Sequence, residues 1–284
     1  MPELPEVEVL VRHLEPLLCG EVVESVEVRK AKVCRPTSKA RLQAVLTGAR
    51  FLGLARRGKY LLFKLRRKGR AGEEVTITGH LGMTGRMYLQ PKRALLPKHA
   101  VVVLGLGANN FVYEDARQFG RFTVDDSAVS ALGPEPLEAA FTLERFIAGL
   151  RRSAQPIKVK LLDQSLVAGI GNIYASEALF RAGVSPKRAA RRVKTAEVAK
   201  LHTAIREVLI EAIECGSTIP LDFAGSGKRD GLFYYGLVEG NSRYYQERLR
   251  VYDRAGQPCV TCETPIKRLV QAARSTFFCP NCQR

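Results

Sequence analysis

Four cysteines near the end of the chain have the spacing of a metal site. Cys259 and Cys262 form one pair, Cys279 and Cys282 form a second, and each pair encloses two residues. Two such pairs can hold four thiolates in a tetrahedron around Zn²⁺, which leaves no ligand position open for water. The spacing therefore predicts one structural zinc ion rather than a catalytic metal.

The first residues of the chain, Met-Pro-Glu-Leu-Pro-Glu, contain a second candidate for chemistry. Loss of Met1, which a small second residue normally permits, would leave Pro2 with a free secondary amine. An α-amino group titrates at roughly 8 in model peptides, so part of it is neutral and nucleophilic at cellular pH. The residues alone leave two interpretations open, a reactive terminus or the start of a helix.

Three short segments carry side chains that each permit two interpretations. Lys59 begins a predicted strand in Arg-Gly-Lys-Tyr, where a lysine is usually a solvated charge. His80 and Met83 share a Gly-rich turn, in which Met83 is either core filler or an apolar wedge between bases. Arg117 and Phe119 lie on a predicted hairpin tip, where a buried Phe is the ordinary outcome.

A glycine-rich segment, Val-Ala-Gly-Ile-Gly-Asn at residues 167–172, leads into a predicted helix that Asn172 begins. Gly169 and Gly171 permit a tight turn, and a helix N-terminus with free N–H groups binds phosphate well. Plain packing between two helices explains the same glycines nearly as well. Arg274, between the cysteine pairs, is expected at or near a hairpin tip, where it could contact phosphate or remain a solvated charge.

The charge balance favours a polyanionic partner. The chain of 284 residues has 45 Lys and Arg against 28 Asp and Glu, a net charge of +17. Such an excess, spread along the whole chain, points to nucleic acid ahead of an anionic membrane surface or a generally basic proteome. No apolar run approaches about 18 residues, and no basic leader precedes an apolar segment. We therefore expect a cytoplasmic protein without a membrane span.

The spacing of apolar residues predicts the elements that carry these side chains, and this spacing changes along the chain. Apolar residues from Leu4 to Leu18 recur at helical spacing, with Pro5 in the first turn and Pro16 at the far end. Short β-rich runs follow to about residue 128, which predicts a β-sandwich or barrel. Helical patterns occupy about 135–222, a Gly- and Tyr-rich segment follows, and the four cysteines lie in a short basic module.

Together these segments resemble the formamidopyrimidine-DNA glycosylases, bifunctional bacterial enzymes of base excision repair. The segments that carry the resemblance occur in the family's order and at its intervals: MPELPEVE, GKYLLF, HLGMTG, FGRF, LGPEPL, GIGNIYASEALF and STFFCPNCQ. The resemblance runs from residue 1 to residue 284 and is poor only from about 223 to 245.

The resemblance implies an α+β multidomain fold. It predicts an N-terminal catalytic β-sandwich domain with flanking helices over residues 1–130 and a helix-two-turn-helix DNA-binding domain over 131–222. A lesion-covering loop over 223–245 and a C-terminal zinc-finger β-hairpin over 246–284 complete the prediction. It further implies a monomer with one structural Zn²⁺ that acts on double-stranded damaged DNA in the bacterial cytoplasm, held at the nucleoid by DNA binding.

The resemblance also implies the chemistry. The enzyme would remove oxidised purines such as 8-oxoguanine and formamidopyrimidines, then cut the abasic strand by β,δ-elimination. Pro2 would be the nucleophile that forms a Schiff base with C1′, and Glu3 would donate and accept protons. Lys59 is implied as proton donor for β-elimination and Arg274 for δ-elimination, each with a phosphate contact, and Glu6 has a supporting role.

Contacts to DNA are implied for two groups of side chains. The family's phosphate clamp maps onto residues from three regions of the chain: Lys59, His80, Asn172 and Arg274. The gap left by a flipped base is filled in the family by a Met, an Arg and a Phe, which correspond to Met83, Arg117 and Phe119. The Arg would hydrogen-bond the orphaned base, and the Phe and Met would wedge between its neighbours.

The chain departs from the family in two places. The family usually has Asp-Pro-Arg-Arg-Phe-Gly where residues 115–120 are Asp-Ala-Arg-Gln-Phe-Gly, so Ala116 and Gln118 replace a proline and an arginine. The segment that begins at Ala224 is also longer than the family's lesion-covering loop. Lesion preference is therefore less constrained than the chemistry.

Two alternatives differ in what they require of the first residues. An endonuclease VIII-type glycosylase for oxidised pyrimidines usually begins Met-Pro-Glu-Gly-Pro-Glu, whereas this chain has Leu4. A non-catalytic DNA-binding protein with a zinc module would not need Pro2, Glu3 and Lys59, all of which are intact. The sequence favours the purine-lesion enzyme over both.

Overall fold

The computed structural model describes residues 2–69, 72–216 and 248–284, so the predicted lesion-covering loop at 223–245 lies outside the described residues. The described chain forms two compact units. The N-terminal unit contains Pro2 and residues 6–130, and the C-terminal unit contains residues 3–5, 131–216 and 248–284. Among the helices of these residues, none combines the length and the apolar character that a membrane crossing requires.

The described part of the N-terminal unit consists mainly of strands. Its elements, in chain order, are α1 (Leu4–Leu18, which starts in the C-terminal unit), β1 (Ser25–Val28), a 3₁₀ turn (Ala31–Cys34), α2 (Lys39–Leu46), β2 (Arg50–Arg57), β3 (Tyr60–Arg66), β4 (Glu74–His80), β5 (Arg86–Pro91), β6 (Ala100–Leu106), β7 (Asn109–Glu114), β8 (Arg121–Thr123) and α3 (Ser127–Ser130).

The strands form a sandwich of two antiparallel sheets. The strand orders are β1-β6-β7-β5 and β2-β3-β4-β8. Phe63 of β3 meets Phe111 of β7 edge to face, with ring centroids 5.6 Å apart, which joins the inner faces of the two sheets. The buried stripe of α1 packs into the same core. The predicted N-terminal β-sandwich with flanking helices is confirmed.

Helix α1 extends beyond the proline that was expected to end it. Val7, Leu10 and Leu14 are fully buried, as the helical spacing predicted. Pro16 lies inside the helix, in its last turn, where it cannot donate the backbone hydrogen bond to the carbonyl four residues earlier. The chain leaves the helix at Gly20, whose φ of +87° is the left-handed conformation common at helix ends.

The sequence patterns missed several elements of this unit, among them α2 and β5. Helix α2 buries only Leu42 and Leu46 and is capped by Ser38, whose hydroxyl accepts the N–H of Arg41 at 3.2 Å, so its apolar periodicity is weak. Strand β5 ends in Pro91 and lies at the edge of its sheet, paired only with β7 among the described strands. Proline is tolerated at such an edge, although it lowers the strand signal in sequence.

The C-terminal unit is helical, with a small β-hairpin at its end. Its elements are α4 (Leu143–Arg151), α5 (Ile157–Leu161), α6 (Asn172–Arg181), a 3₁₀ turn (Ala190–Arg192), α7 (Thr195–Glu214), β9 (Lys267–Gln271) and β10 (Arg274–Phe278). One apolar core, which includes Leu4, unites the helices, and a smaller core lies under the hairpin.

Within the helical region predicted over about 135–222, the apolar pattern from Pro156 to Gly169 indicates one helix, but α5 covers only Ile157–Leu161. Asp163 interrupts it, since its carboxylate accepts the backbone N–H of Ser165 at 2.9 Å and the hydroxyl of the same residue at 2.7 Å. This local bonding competes with the next helical hydrogen bonds. The residues that follow therefore turn toward the start of α6.

A buried carboxylate attaches the hairpin module to α6. Glu177 is 2% exposed and accepts the backbone N–H groups of Arg250, Val251 and Tyr252 at 2.9, 3.0 and 2.8 Å. Burial raises the pKa of Glu177, and the three N–H donors oppose that rise. The start of the cysteine-bearing module is thereby fixed on the helical core of the same unit.

Candidate active site and nucleic-acid interface

Glu3, predicted to move protons, lies at the N-terminus of α6. The side chain is 2% exposed, and its carboxylate accepts the N–H groups of Gly171 at 2.7 Å, Ile173 at 2.9 Å and Tyr174 at 3.4 Å. These are the donors that a helix leaves unpaired at its start, and they favour a negative charge there. The helix N-terminus that the sequence suggested for phosphate is thus occupied by the protein's own carboxylate.

The two glycines before α6 are required by this arrangement. A Cβ on Gly171 would lie 2.3 Å from the carboxyl carbon of Glu3, and a Cβ on Gly169 would lie 2.6 Å from the side chain of Leu4. Gly169 also has a φ of +84°, and its carbonyl accepts the N–H of Leu4 at 3.0 Å. The glycines therefore allow the first residues of the chain to approach the backbone ahead of α6.

Asn172, predicted to bind phosphate, bridges α5 to the hairpin. Its Nδ2 donates to the carbonyl of Ser275 at 2.9 Å, and its Oδ1 accepts a hydrogen bond from Nζ of Lys158. Lys158 is fully buried and lies 3.4 Å from the same Ser275 carbonyl. Both ends of the Asn172 amide are thus oriented by neighbours within the C-terminal unit.

Lys158 was not predicted from the sequence. Burial, followed by the nearby positive charge of Arg274, lowers its pKa to about 8, while Glu3 acts in the opposite direction. In sequence Lys158 belongs to the alternating pattern Ile-Lys-Val-Lys-Leu, in which each lysine is most simply a solvated charge. The only local signal was its position between apolar residues.

Arg274 is the first residue of β10 and is exposed, next to the hairpin tip. Ala272 and Ala273 form the tip, with φ values of +46° and +59°. Two consecutive positive φ values are typical of the type I′ turn that joins two-residue hairpins. The prediction of two strands joined by a turn, with Arg274 close to the tip, agrees with this geometry.

The four cysteines fit a zinc ion. Their sulfur atoms lie within 4.8 Å of one another, with Cys262 to Cys282 at 3.3 Å and Cys259 to Cys282 at 3.9 Å. A tetrahedron with Zn–S bonds of about 2.3 Å has edges of about 3.8 Å. The backbone N–H of Cys282 points at the sulfur of Cys279 at 3.4 Å, a contact that supports a metal-bound thiolate.

Lys59 and His80 are neighbours in the N-terminal unit. Lys59 is 7% exposed in the β2–β3 turn, and the next residue, Tyr60, pairs with His80 across β3 and β4. Burial lowers the pKa of His80 to about 4, with further contributions from the positive charges of Lys59 and Arg121. The N–H of Gly82 donates to Nδ1 of His80 at 3.0 Å, so a neutral imidazole keeps its proton on Nε2.

Met83, Arg117 and Phe119 are carried by two turns of the N-terminal unit. Met83 lies in the β4–β5 turn (residues 81–85), and the other two lie in the β7–β8 turn (residues 115–120). Met83 and Phe119 are 46% and 50% exposed, unlike the buried residues that their types usually imply. Within the N-terminal unit these turns present apolar side chains to solvent, as an intercalating role requires.

Two cationic side chains, which come from different segments of the chain, lie against the ring of Phe119. The guanidinium carbon of Arg117 lies 4.7 Å from the ring centroid, and Nζ of Lys32 lies 5.6 Å from it. Cation–π contacts at exposed rings are worth about 0.5–1 kcal/mol. They hold the ring in one orientation while leaving it accessible.

Pro2 and Glu6 belong to the N-terminal unit. Pro2 is half-buried and directly precedes Glu3 in the chain. Glu6 is 1% exposed and lies in the first turn of α1, where a carboxylate complements the helix dipole. Lys59, His80 and the three wedge candidates share this unit, whereas Glu3, Asn172, Arg274 and the cysteines share the other.

Family models match nearly the whole chain. The model for the formamidopyrimidine-DNA glycosylase N-terminal domain matches residues 1–122, and the model for the H2TH domain of the same enzymes matches residues 132–222. A third model, a zinc finger found in FPG and IleRS, matches residues 256–284.

Individual relatives are similar over their full length. A formamidopyrimidine-DNA glycosylase of Dinoroseobacter shibae is 42% identical, with 100% of both chains covered. Among solved structures, an Fpg protein of Thermus thermophilus is 41% identical with a TM-score of 0.83, covering 99% of this chain and 98% of that one. A Lactococcus lactis Fpg bound to DNA with an abasic site is 32% identical with a TM-score of 0.86, covering 99% of each chain.

Proposed function

The chain belongs to the formamidopyrimidine-DNA glycosylase family, and on that premise we propose which groups act on the damaged strand. It is a base-excision repair enzyme, both a DNA glycosylase and an abasic-site lyase, with a C-terminal zinc finger. Within that function we propose double-stranded DNA with an oxidised purine as its substrate. We also propose that it works as a monomer on chromosomal DNA in the cytoplasm.

The nitrogen of Pro2, once free, attacks C1′ of the damaged nucleotide. A bond forms between nitrogen and C1′, the bond from C1′ to the base breaks, and the base leaves with its electron pair and takes up a proton. The amine then loses its proton, the bond from C1′ to the ring oxygen O4′ breaks, and O4′ takes up a proton. The ring-opened iminium between Pro2 and C1′ withdraws electrons from the sugar. Loss of a proton from C2′ then expels the 3′ phosphate, and a second elimination expels the 5′ phosphate.

Glu3 supplies and accepts protons at the sugar ring. One observation supports the proposal most directly: Glu3 is the residue after Pro2, and its carboxylate accepts three N–H groups around the start of α6. Charge-assisted hydrogen bonds of this kind fix an acid–base group in one position and reduce the reorganisation that proton transfer needs. A residue that only capped a helix would not need to follow the nucleophile.

Phosphate contacts come from Lys59 and His80 in one unit and from Asn172 and Arg274 in the other. The neutral His80, with Nδ1 occupied by Gly82, offers Nε2–H as a donor to a phosphate oxygen. We assign Lys59 and Arg274 as proton donors for the β- and δ-elimination as well. Exposure of Arg274 at the hairpin tip is consistent with contact to DNA.

Removal of a base from the stack leaves a gap that Met83, Arg117 and Phe119 fill. Unstacking costs a few kcal/mol, and apolar wedges offset this cost by occupying the space between neighbouring bases. Arg117 donates hydrogen bonds to the base that has lost its partner. The exposure of Met83 and Phe119 supports this assignment.

Borohydride trapping tests the proposal. The protein with a free Pro2 terminus is incubated with duplex DNA that contains 8-oxoguanine opposite cytosine, and borohydride reduces the iminium to a stable amine. We expect a covalent protein–DNA adduct with wild type, and little or none with Pro2→Gly, with Glu3→Gln or with an uncleaved N-terminal tag. Pro5→Ala, a proline three residues further on, is the matched control and should trap normally.

Absence of an adduct from protein with a confirmed Pro2 terminus would contradict the lyase assignment. A binding module would respond neither to Pro2→Gly nor to the tag. The same assay with oxidised purines and oxidised pyrimidines distinguishes the purine enzyme from the endonuclease VIII type. Leu4, which is fully buried in the core of the C-terminal unit, is the residue that favours the former.

A further inference from the structure

Asp115 is a buried carboxylate at the end of β7 that the proposed chemistry does not use. It is 1% exposed, and the positions of its two oxygens are determined by groups from two different turns. In sequence it is the first residue of the Asp-Ala-Arg-Gln-Phe-Gly segment that carries Arg117 and Phe119. A buried acid that bonds to one pair of turns is expected to shape those turns.

The bonds of Asp115 connect the β4–β5 turn to the β7–β8 turn. Its Oδ1 accepts the hydroxyl of Thr84 at 2.8 Å, from the turn that carries Met83, and the N–H of Arg117 at 3.2 Å. Its Oδ2 accepts the N–H of Gly120 at 2.9 Å. One carboxylate therefore bonds the residue after Met83, the backbone of Arg117 and the residue after Phe119.

The backbones of the two turns also lie against each other. A Cβ on Gly82 would lie 2.7 Å from the nitrogen of Gly120 and 2.8 Å from the carbonyl carbon of Phe119. A Cβ on Gly120 would lie 1.9 Å from the hydroxyl of Tyr113 and 2.3 Å from the carbonyl of His80. That hydroxyl donates to the His80 carbonyl at 3.2 Å, so the ends of β4 and β7 are joined beneath the turns.

We infer that Asp115 is a positioning residue that locks the two turns into one platform for Met83, Arg117 and Phe119. The inference rests on the proposed function, in which these three side chains replace the flipped base. Insertion into a base stack requires the three groups to arrive together, and misplacement by about 1 Å can cost a hundredfold in rate. Asp115 touches none of the reacting atoms, so its loss affects opening of the duplex rather than the attack by Pro2.

The test compares two DNA substrates with one substitution. Asp115→Asn removes an acceptor, because an amide nitrogen cannot accept the N–H of Arg117 or Gly120. We expect lesion excision from duplex DNA to fall about tenfold or more, while trapping on a single-stranded abasic oligonucleotide stays within about twofold of wild type. Asp125→Asn, the same change ten residues further on at a carboxylate that bonds only Ser127 among its described partners, is the matched control.

A second readout reports the wedge directly. A 2-aminopurine placed beside the lesion becomes fluorescent when its stacking is lost, and we expect a slower and smaller rise with Asp115→Asn than with wild type. Thr84→Val removes only the hydrogen bond from Thr84 to Asp115 and should reproduce part of the defect if Asp115→Asn does not fold.

Equal loss on duplex and single-stranded substrates would overturn the inference, because a general structural defect affects both. A duplex excision rate and a fluorescence change within about twofold of wild type in both variants would overturn it as well. Failure of wild-type protein to form an adduct with either DNA would instead refute the proposed function. The two failures are therefore distinguishable in a single set of experiments.

Discussion

At the scale of single residues, Lys158 bears a large electrostatic cost within the C-terminal unit. It is fully buried, and burial lowers its pKa to about 8 from an ordinary value of 10.5. Its ammonium donates to Asn172 and lies near the Ser275 carbonyl, and the negative charge of Glu3 offsets only part of the cost of burial. Such a cost is commonly retained where a group serves function more than stability.

Because the pKa of Lys158 is lowered in the folded state, the free energy of unfolding should rise with pH above about 8. Below about pH 8 the lysine is charged in both states, so the folded state bears the full cost of burying the charge. As the pH rises from about 8 toward 10.5, the folded protein loses this proton before the unfolded chain does, and the cost disappears. We expect the stability of wild type relative to Lys158→Met to rise over this range by at most about 3 kcal/mol.

Urea unfolding of both proteins at a series of pH values measures this difference. The unpaired Asn172 oxygen in the variant contributes equally at each pH and so does not affect the slope. Lys160→Met is the matched control, the same change on the same helix at a lysine that forms an ion pair with Asp163 at 2.7 Å. Parallel stability curves for wild type and Lys158→Met would contradict the prediction.

The roles of some residues could be predicted from the sequence, and those of others could not. The zinc cysteines were predictable because each pair is local and their spacing alone specifies the chemistry. Glu3 was assigned only by family resemblance, since its bonds go to residues 168 and 170 positions away in sequence. Lys158 and Asp115 were missed for a related reason: what distinguishes them is their burial and their distant partners, which no local pattern contains.

At the scale of elements, the hairpin β9–β10 has two strained positions beside Arg274, the residue to which we assign a phosphate contact. Ala272 and Ala273 both have left-handed backbones, which cost residues with a Cβ about 1 kcal/mol or more each. Asn-Gly is the preferred pair for this turn. The strain lies directly before the first residue of β10.

Relief of this strain should stabilise the hairpin. We expect Ala273→Gly to lower the free energy of the closed hairpin by about 1 kcal/mol, since glycine adopts positive φ without a steric penalty. Hydrogen exchange of the β10 amides, such as that of Thr276, should slow about fivefold. Ala199→Gly, in the second turn of α7 where the backbone is helical, should instead destabilise its helix by about 1 kcal/mol. Faster exchange in Ala273→Gly would contradict this account.

Elements with strong apolar periodicity were predictable, whereas an element whose end is determined by one polar side chain was not. Helices α1, α6 and α7 and most of the strands follow their apolar patterns. Helix α5 ends early because Asp163 bonds to Ser165, a choice between two local hydrogen-bond patterns that apolar spacing does not reveal. The predicted domain limits remain predictions, because the structure divides the described chain into two units, one of which holds both the helices and the cysteine module.

At the scale of the whole molecule, the zinc module is too small to be stable without support. Its apolar cluster contains few buried side chains, among them Phe180 of α6, Val251, Ile266 and Phe277, and two of the zinc ligands belong to it. Segments of this size usually depend on a metal for their fold. Two further attachments come from polar side chains: the carboxylate of Glu177 and the amide of Gln283, whose Nε2 donates to the carbonyl of Val184 at 3.0 Å.

Removal of zinc should therefore abolish DNA cleavage while the core of the N-terminal unit stays folded. Cys259→Ser should bind no zinc tightly, lose protection of the β9 and β10 amides and lose duplex binding, because Arg274 is no longer held at the hairpin tip. Cys19→Ser, which changes an exposed isolated cysteine, should retain one zinc per chain and wild-type activity. Metal analysis, hydrogen exchange and duplex binding measured on the same samples test each step. Full DNA binding by zinc-free Cys259→Ser would contradict the dependence of Arg274 on the metal, since the phosphate contact would then not need the folded hairpin.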